Sequence, residues 1–237
     1  MVQSVALITG ASQRLGLHMT RSLLAKGWQV VVFTRSGSPE LEQLDQRNLT
    51  QINCNALDDE SMDGAIQAVR AQFTRLDFIL HNASIYEKDE QHKDDFMSFY
   101  DALYQIHMKL PARINTQLSD LLQTSEVQTN IIHVTDIYVD NPNPDYALYC
   151  STKAASENLM ISFAKRLAPS VRVNAIQPGP VKFLAGHSAE EQEKVLSETM
   201  LATEGGFEAL EKAIYSILDN HYMTASVVRV DGGRLLC

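Results

Sequence analysis

The chain has 237 residues, 45% hydrophobic and 21% charged, with a formal net charge of -9, which fits a soluble α/β fold and excludes general binding of nucleic acid or an anionic membrane. Its three cysteines, Cys54, Cys150 and Cys237, have no paired spacing, so neither a disulfide framework nor a metal site is expected. No apolar run nears the roughly 20 residues of a membrane span, and Met1-Val2-Gln3-Ser4 lacks the basic and apolar regions of a signal peptide, so a cytoplasmic location is the expectation.

Short apolar runs alternate with helical patterns. Residues 5–9, Val5-Ala6-Leu7-Ile8-Thr9, form the first predicted strand, and Gly10-Ala11-Ser12-Gln13-Arg14-Leu15-Gly16 turns into a helix over 15–26. A glycine turn before a helix offers unpaired N–H groups and the positive end of the helix dipole, a place for a pyrophosphate. A plain tight turn has the same composition. Gly27 stands where a helix C-terminal glycine belongs. The second strand, 29–33, runs into Thr34-Arg35-Ser36. An NAD site is expected to carry an acidic residue near here for the ribose hydroxyls. A guanidinium between two hydroxyls suits a 2′-phosphate instead, which selects NADP(H); the bland alternative is a solvated loop arginine.

A third strand is predicted over 49–54, a helix over 59–73, and a fourth strand over 77–81, followed by Asn82-Ala83-Ser84. One long helix is expected over 95–122. A strand over 129–135 leads to Asp136, and a helix over 147–167 carries Tyr149 and Lys153 four positions apart, hence on one face. A strand over 171–176 leads to Gln177-Pro178-Gly179, and the last, 226–230, to Asp231-Gly232-Gly233. The charged stretch 182–207, ending in Gly205-Gly206, is expected to be a substrate loop or lid. This alternation implies one α/β domain over 1–237: a Rossmann-type, doubly wound parallel sheet of about seven strands with helices on both faces.

Four motifs occur in order: Thr9-Gly10 with Arg14-Leu15-Gly16, His81-Asn82-Ala83-Ser84, Tyr149 with Lys153, and Asn174-Ala175-Ile176-Gln177-Pro178-Gly179. Together they resemble the short-chain dehydrogenase/reductase family over essentially the whole chain. The resemblance implies an oxidoreductase in which Asn82, Ala83 and Ser84 line the ribose and nicotinamide of NADP(H), and Pro178, Gly179 and Val181 face the nicotinamide amide. It puts Asn55 and Ala56 near the adenine, with asparagine where the family usually has aspartate. It also gives Lys153 a bond to the nicotinamide ribose and implies a homotetramer packed through the long helices. A free tyrosine has a pKa of about 10. The Lys153 ammonium is expected to lower that of Tyr149, which then passes a proton to an atom receiving hydride.

The departures from the family pattern carry information. A serine is usual thirteen residues before the tyrosine; here it is Asp136. A carboxylate cannot donate a hydrogen bond and opposes a developing alkoxide. It favours a substrate that becomes cationic or presents N–H groups, such as a C=N heterocycle, and it tends to hold a proton on Tyr149. Arg14 stands for the second glycine of the turn and Ser84 for a glycine after Asn82-Ala83. With Asp136, Tyr149 and Lys153 these resemble the pterin-reducing branch of the family, which includes the bacterial dihydromonapterin reductases. In that branch an aromatic residue, here Tyr86, covers the pterin opposite the nicotinamide; an exposed loop tyrosine is the alternative. Arg14, Ser84, Tyr86, Asp136 and Tyr149 are therefore the expected substrate contacts.

His107 stands where the family usually has a water-holding asparagine and is either part of a proton relay or a buried structural histidine. His133 is expected in the core, and Cys150 on another helix face than Tyr149. The implied reaction is NADPH-dependent reduction of a 7,8-dihydromonapterin-like dihydropterin, hydride to C6 and proton to N5. A carbonyl reductase of the same fold and a non-catalytic NADPH-binding regulator are the alternatives.

Overall fold

Several strands are continuously apolar and can be buried only if both faces of their sheet are covered. The computed structural model, which describes residues 3–125, 127–183 and 186–237, has this arrangement. In chain order its elements are β1 (Val5–Thr9), α1 (Arg14–Ala25), β2 (Gln29–Thr34), α2 (Pro39–Glu42), β3 (Leu49–Asn53), α3 (Asp59–Gln72) and β4 (Phe78–His81). Then come α4 (Phe96–Tyr104), α5 (Leu110–Gln117), α6 (Ser119–Gln123), β5 (Thr129–Val134), α7 (Ala147–Leu167) and β6 (Val171–Pro178). The last are α8 (Ala189–Ser197), α9 (Gly206–Asp219) and β7 (Val227–Val230). The strands are parallel in the order β3-β2-β1-β4-β5-β6-β7.

The period-two alternation divides β1 between two cores. Val5 and Leu7 face α3, α5 and α7 through Met62, Ile66, Ile114, Met160 and Phe163. Ala6 and Ile8 face α1 and α9 through Leu15, Met19, Leu23, Leu210 and Ile214. The chain reverses direction across the sheet between β1 and β4, which leaves a crevice beyond their C-terminal ends. Among the described residues no helix is long and apolar enough to cross a membrane.

Two expectations are corrected. The helix over 95–122 is not continuous: α4 passes through a π turn over Gln105–Lys109 into α5, and α5 gives way at Leu118 to the short α6. Pro111 explains the first irregularity, since its ring has no N–H and clashes with the carbonyl four residues back. That carbonyl is on His107, so the proline widens the turn that carries this buried histidine. The stretch 182–207 is not a plain loop, because it contains α8, capped by Ser188, whose hydroxyl accepts from Glu191 N. Residues 184 and 185 of that stretch lie outside the described residues. The α9 helix was not anticipated at all; its buried residues Leu210, Ile214 and Ile217 close the face beside α1.

The turn after β1 is pressed against the end of β4. The Asn82 side chain donates to the carbonyls of Thr9 (3.2 Å) and Gly10 (2.9 Å), and Thr9 Oγ1 accepts from the backbone N–H of Asn82 and Ala83. A Cβ at Gly10, where φ is +68°, would lie 2.7 Å from Ala83 Cα. One at Gly16 would strike the Gly10 carbonyl and lie 2.7 Å from Asn82 Nδ2. Gly16→Ala therefore overpacks a rigid contact and is expected to lower stability by about 2 kcal/mol, or Tm by about 6 °C. A thermal melt at the wild-type Tm would mean that the turn can retreat from β4.

Candidate active site

The strand ends, the α1 N-terminus and the start of α7 enclose one cavity of about 640 Å³. Among the residues singled out from sequence, Gly10, Arg14, Leu15, Thr34, Arg35, Ser36, Asn55, Ala56, Asn82, Ala83, Ser84 and Tyr86 all line it. So do Asp136, Tyr149, Lys153, Pro178, Gly179 and Val181. Gly16 does not; it is buried, and its part is the close contact with Gly10 and Asn82.

Asp136 follows β5 and both its oxygens are engaged. Oδ1 accepts from the backbone N–H of Tyr138 at 2.9 Å, capping a short turn over Ile137–Val139. Oδ2 accepts the phenol proton of Tyr149 at 2.9 Å. Thr135, just before, donates to Glu157 on α7 at 2.6 Å, which fixes the strand end against the helix. Lys153, one turn after Tyr149, is buried at 4% exposure and donates to the Val134 carbonyl at 2.9 Å.

These contacts reverse one expectation. Burial, and after it the charge and hydrogen bond of Asp136, push the Tyr149 pKa well above its ordinary value. The lowering expected from Lys153 is outweighed, whereas the expectation that Asp136 holds the proton on the phenol stands. Burial also raises the pKa of Asp136, against the pull of the Tyr138 N–H, Lys153, Tyr149 and Arg234. It lowers the Lys153 pKa to about 8, with Asp136 opposing. The set is one donor phenol on one acceptor carboxylate beside a buried amine, able to supply a proton and to face a cationic centre.

Arg14 adopts φ +51° at the head of α1. This is the left-handed region, which costs a side-chain-bearing residue about 1 kcal/mol and glycine nothing. Its guanidinium donates to the Lys182 carbonyl at 2.6 Å and lies 5.6 Å from the centre of the Phe207 ring, so it bridges α1 to the segment after β6. Arg35 is exposed at the far end of the cavity, with Thr34 Oγ1 accepting from Gly37 N beside it. The Asn55 side chain accepts from Leu57 N at 3.1 Å. Tyr86 stacks on Tyr146 at 4.5 Å between ring centres and 8° between planes, and meets Tyr149 edge-on at 5.1 Å.

His107 is buried beside this site, Nε2 at 2.8 Å from Ser84 Oγ and Nδ1 at 2.8 Å from Thr152 Oγ1. Burial and then Lys153 hold its pKa well below the ordinary value, so it stays neutral. His133 is in the core, as expected. Cys150, also buried, turns its Sγ toward the Asn143 carbonyl. Sequence reasoning named Thr9 in the first motif without giving it a place in the cavity, and missed Tyr146 and Arg234. A tyrosine before a helix has no signature. Arg234 reaches the cavity from the C-terminal turn only because Asp231 accepts from Gly233 N and Leu235 N.

The family model described as short chain dehydrogenase matches residues 4–194. The dihydromonapterin reductase of Enterobacter sp. (strain 638) is 32% identical over 235 residues, covering 99% of this chain and 98% of that protein. That of Klebsiella pneumoniae is 29% identical over 231 residues, covering 97% and 96%. The NADP complex of FolM alternative dihydrofolate reductase 1 from Brucella canis superposes with a TM-score of 0.88 at 23% identity, covering 99% of this chain and 94% of that one. The last of these bears on the fold alone.

The buried amine makes a stability prediction. Because the pKa of Lys153 is lower in the folded than in the unfolded chain, its penalty is full below about pH 8 and fades as pH rises further. Lys153→Met is expected to raise the Tm of the cofactor-free protein at pH 7, with the advantage shrinking by pH 9–10. A lower Tm at pH 7 would mean that the bond to Val134 outweighs desolvation of the charge.

Proposed function

The chain belongs to the short chain dehydrogenase family, and within it we propose an NADPH-dependent reductase of dihydropterins, with a 7,8-dihydromonapterin-like ring as substrate. The observation that carries this reading is the 2.9 Å hydrogen bond from the Tyr149 phenol to the Asp136 carboxylate in the cavity wall. Full-length similarity to proteins named dihydromonapterin reductase supports it.

The residues present fit the cofactor. The turn from Gly10 to Leu15 lines the cavity at the N-terminus of α1, where unpaired backbone N–H groups and the helix dipole suit a pyrophosphate. Gly10, Arg14 and Leu15 would hold that group, and Thr34, Arg35 and Ser36 the 2′-phosphate. Among the described residues no carboxylate pairs with the Arg35 guanidinium. Asn55 and Ala56 would border the adenine, Asn82, Ala83 and Lys153 the ribose, and Pro178, Gly179 and Val181 the nicotinamide. When bound, NADPH supplies the hydride that ends on C6 of the pterin.

The chain's own residues supply the proton and the electrostatics. Tyr149, kept protonated by Asp136, is the store of the proton that ends on N5, directly or through a water held at Asp136. As N5 is protonated, the C6=N5 unit becomes cationic and electron-poor. The carboxylate of Asp136 favours that charge, while it would oppose the alkoxide formed from a ketone. Tyr86, backed by Tyr146, would cover the outer face of the heterocycle; such stacking contributes about 0.5–1.5 kcal/mol beyond burial. Ser84 and Arg14 would contact the pterin edge, and α8 with its flanks would cover the site.

Steady-state NADPH oxidation with 7,8-dihydropterins tests the reading. Asp136→Ser is expected to lower kcat/KM for the pterin by about a hundredfold. Turnover of ketones with no pterin activity would select a carbonyl reductase instead. Arg35→Ala should raise KM for NADPH about tenfold, by loss of charge-assisted bonds, and leave that for NADH unchanged. Equal effects on the two cofactors would remove Arg35 from the 2′-phosphate.

A further inference from the structure

The reaction above leaves His107 and Thr152 without a task, yet both are buried against the wall that carries Ser84 and Tyr149. Thr152 Oγ1 lies 2.9 Å from the Tyr149 carbonyl and 2.8 Å from His107 Nδ1. A carbonyl only accepts, and a hydroxyl has one proton. Thr152 therefore donates to Tyr149 O and offers a lone pair to the imidazole, so Nδ1 carries the proton. A neutral imidazole has one N–H, which leaves Nε2 as an acceptor. Ser84 Oγ, 2.8 Å from Nε2, donates to it in preference to the more distant Ile85 carbonyl at 3.4 Å. Three hydrogen bonds thus run one way, from Ser84 through His107 and Thr152 to the backbone of α7.

A free serine hydroxyl serves as donor or acceptor and discriminates poorly between the two. One whose proton is committed to a buried imidazole presents only lone pairs. We propose that His107 is a specificity-determining residue acting through Ser84: by taking its proton, His107 makes the hydroxyl an obligate acceptor that selects a ring with an exocyclic amine over one with a carbonyl there. The inference rests on the dihydropterin reading. The amino group is the exocyclic donor of a pterin, and a buried acceptor left facing a carbonyl is the kind of mismatch that a binding site penalises heavily.

The test compares two ligands, 6-methylpterin and 6-methyllumazine, which carry an amine and a carbonyl at the same ring position. Their Kd values are measured on the full chain saturated with NADP+. The wild type is expected to prefer the pterin at least tenfold. His107→Phe should compress that ratio about fivefold or more with NADP+ affinity intact, Ser84→Ala should compress it similarly, and the double variant should go no further than Ser84→Ala alone.

A structural role would not produce that non-additive change in a ratio. An unchanged ratio in His107→Phe, or a full further effect of His107→Phe in the Ser84→Ala background, overturns the role of His107. If His107→Phe does not melt cooperatively, Thr152→Val takes its place. Without the threonine acceptor the imidazole can move its proton to Nε2 and free the Ser84 hydroxyl, so the ratio should shrink in the same direction; no change there overturns the proposal too. A wild type that holds NADP+ and binds neither ligand overturns the dihydropterin reading together with this inference.

Discussion

A phenol that donates a hydrogen bond to a carboxylate inside a protein wall sets the character of this site. Asp136 and Tyr149 come from different elements, the end of β5 and the first turn of α7, and their 2.9 Å contact exists only because helix and strand are held in register. Thr135 bonded to Glu157 and Lys153 bonded to the Val134 carbonyl are two of the ties. Together they place one negative charge, one transferable proton and one amine within a few ångströms, in surroundings that favour neutral forms. Burial raises the pKa of the carboxyl and of the phenol and lowers that of the amine. A pocket so arranged is matched to chemistry that builds positive charge.

The other half of the cavity is a problem of close approach. The turn after β1 must come near enough to β4 for Asn82 to reach two carbonyls and for Thr9 to accept two N–H groups. Only glycine tolerates that at positions 10 and 16. At position 14 the same turn requires a left-handed backbone, and there the chain carries arginine and bears the strain. Its contacts with the Lys182 carbonyl and the Phe207 ring offset that cost by tying the mouth of the cavity to the segment that covers it. Strain kept at a residue lining the cavity is consistent with a role in binding.

The seven strands, three of the four long helical patterns and, apart from Gly16, the residues assigned to the cavity were legible in the sequence, because each depends on local periodicity or on a short motif. The interruption at the π turn was not, since Pro111 inside a strongly periodic pattern allows either a kink or a bulge, and the pattern does not say which. Helix α8 went unread because its residues are mostly polar and none is buried, leaving no apolar stripe to detect. Gly16 was assigned to the cavity by its place in the motif, whereas the packing assigns it to the contact beneath the turn.

By itself the amino-acid order determined the parallel sheet, the glycine turn suited to a pyrophosphate after the first strand, and the presence of a carboxylate where a hydroxyl is usual, for these follow from hydrophobic period and residue type. Tertiary structure decided which of the opposing influences on each proton prevails. Tyr149 was expected to lose its proton more readily beside Lys153, but burial and Asp136 reverse that. His107, open between relay and scaffold, became a neutral link from Ser84 to Thr152. Proton position depends on desolvation and on the full set of donors and acceptors around a group, and these come from elements distant in sequence.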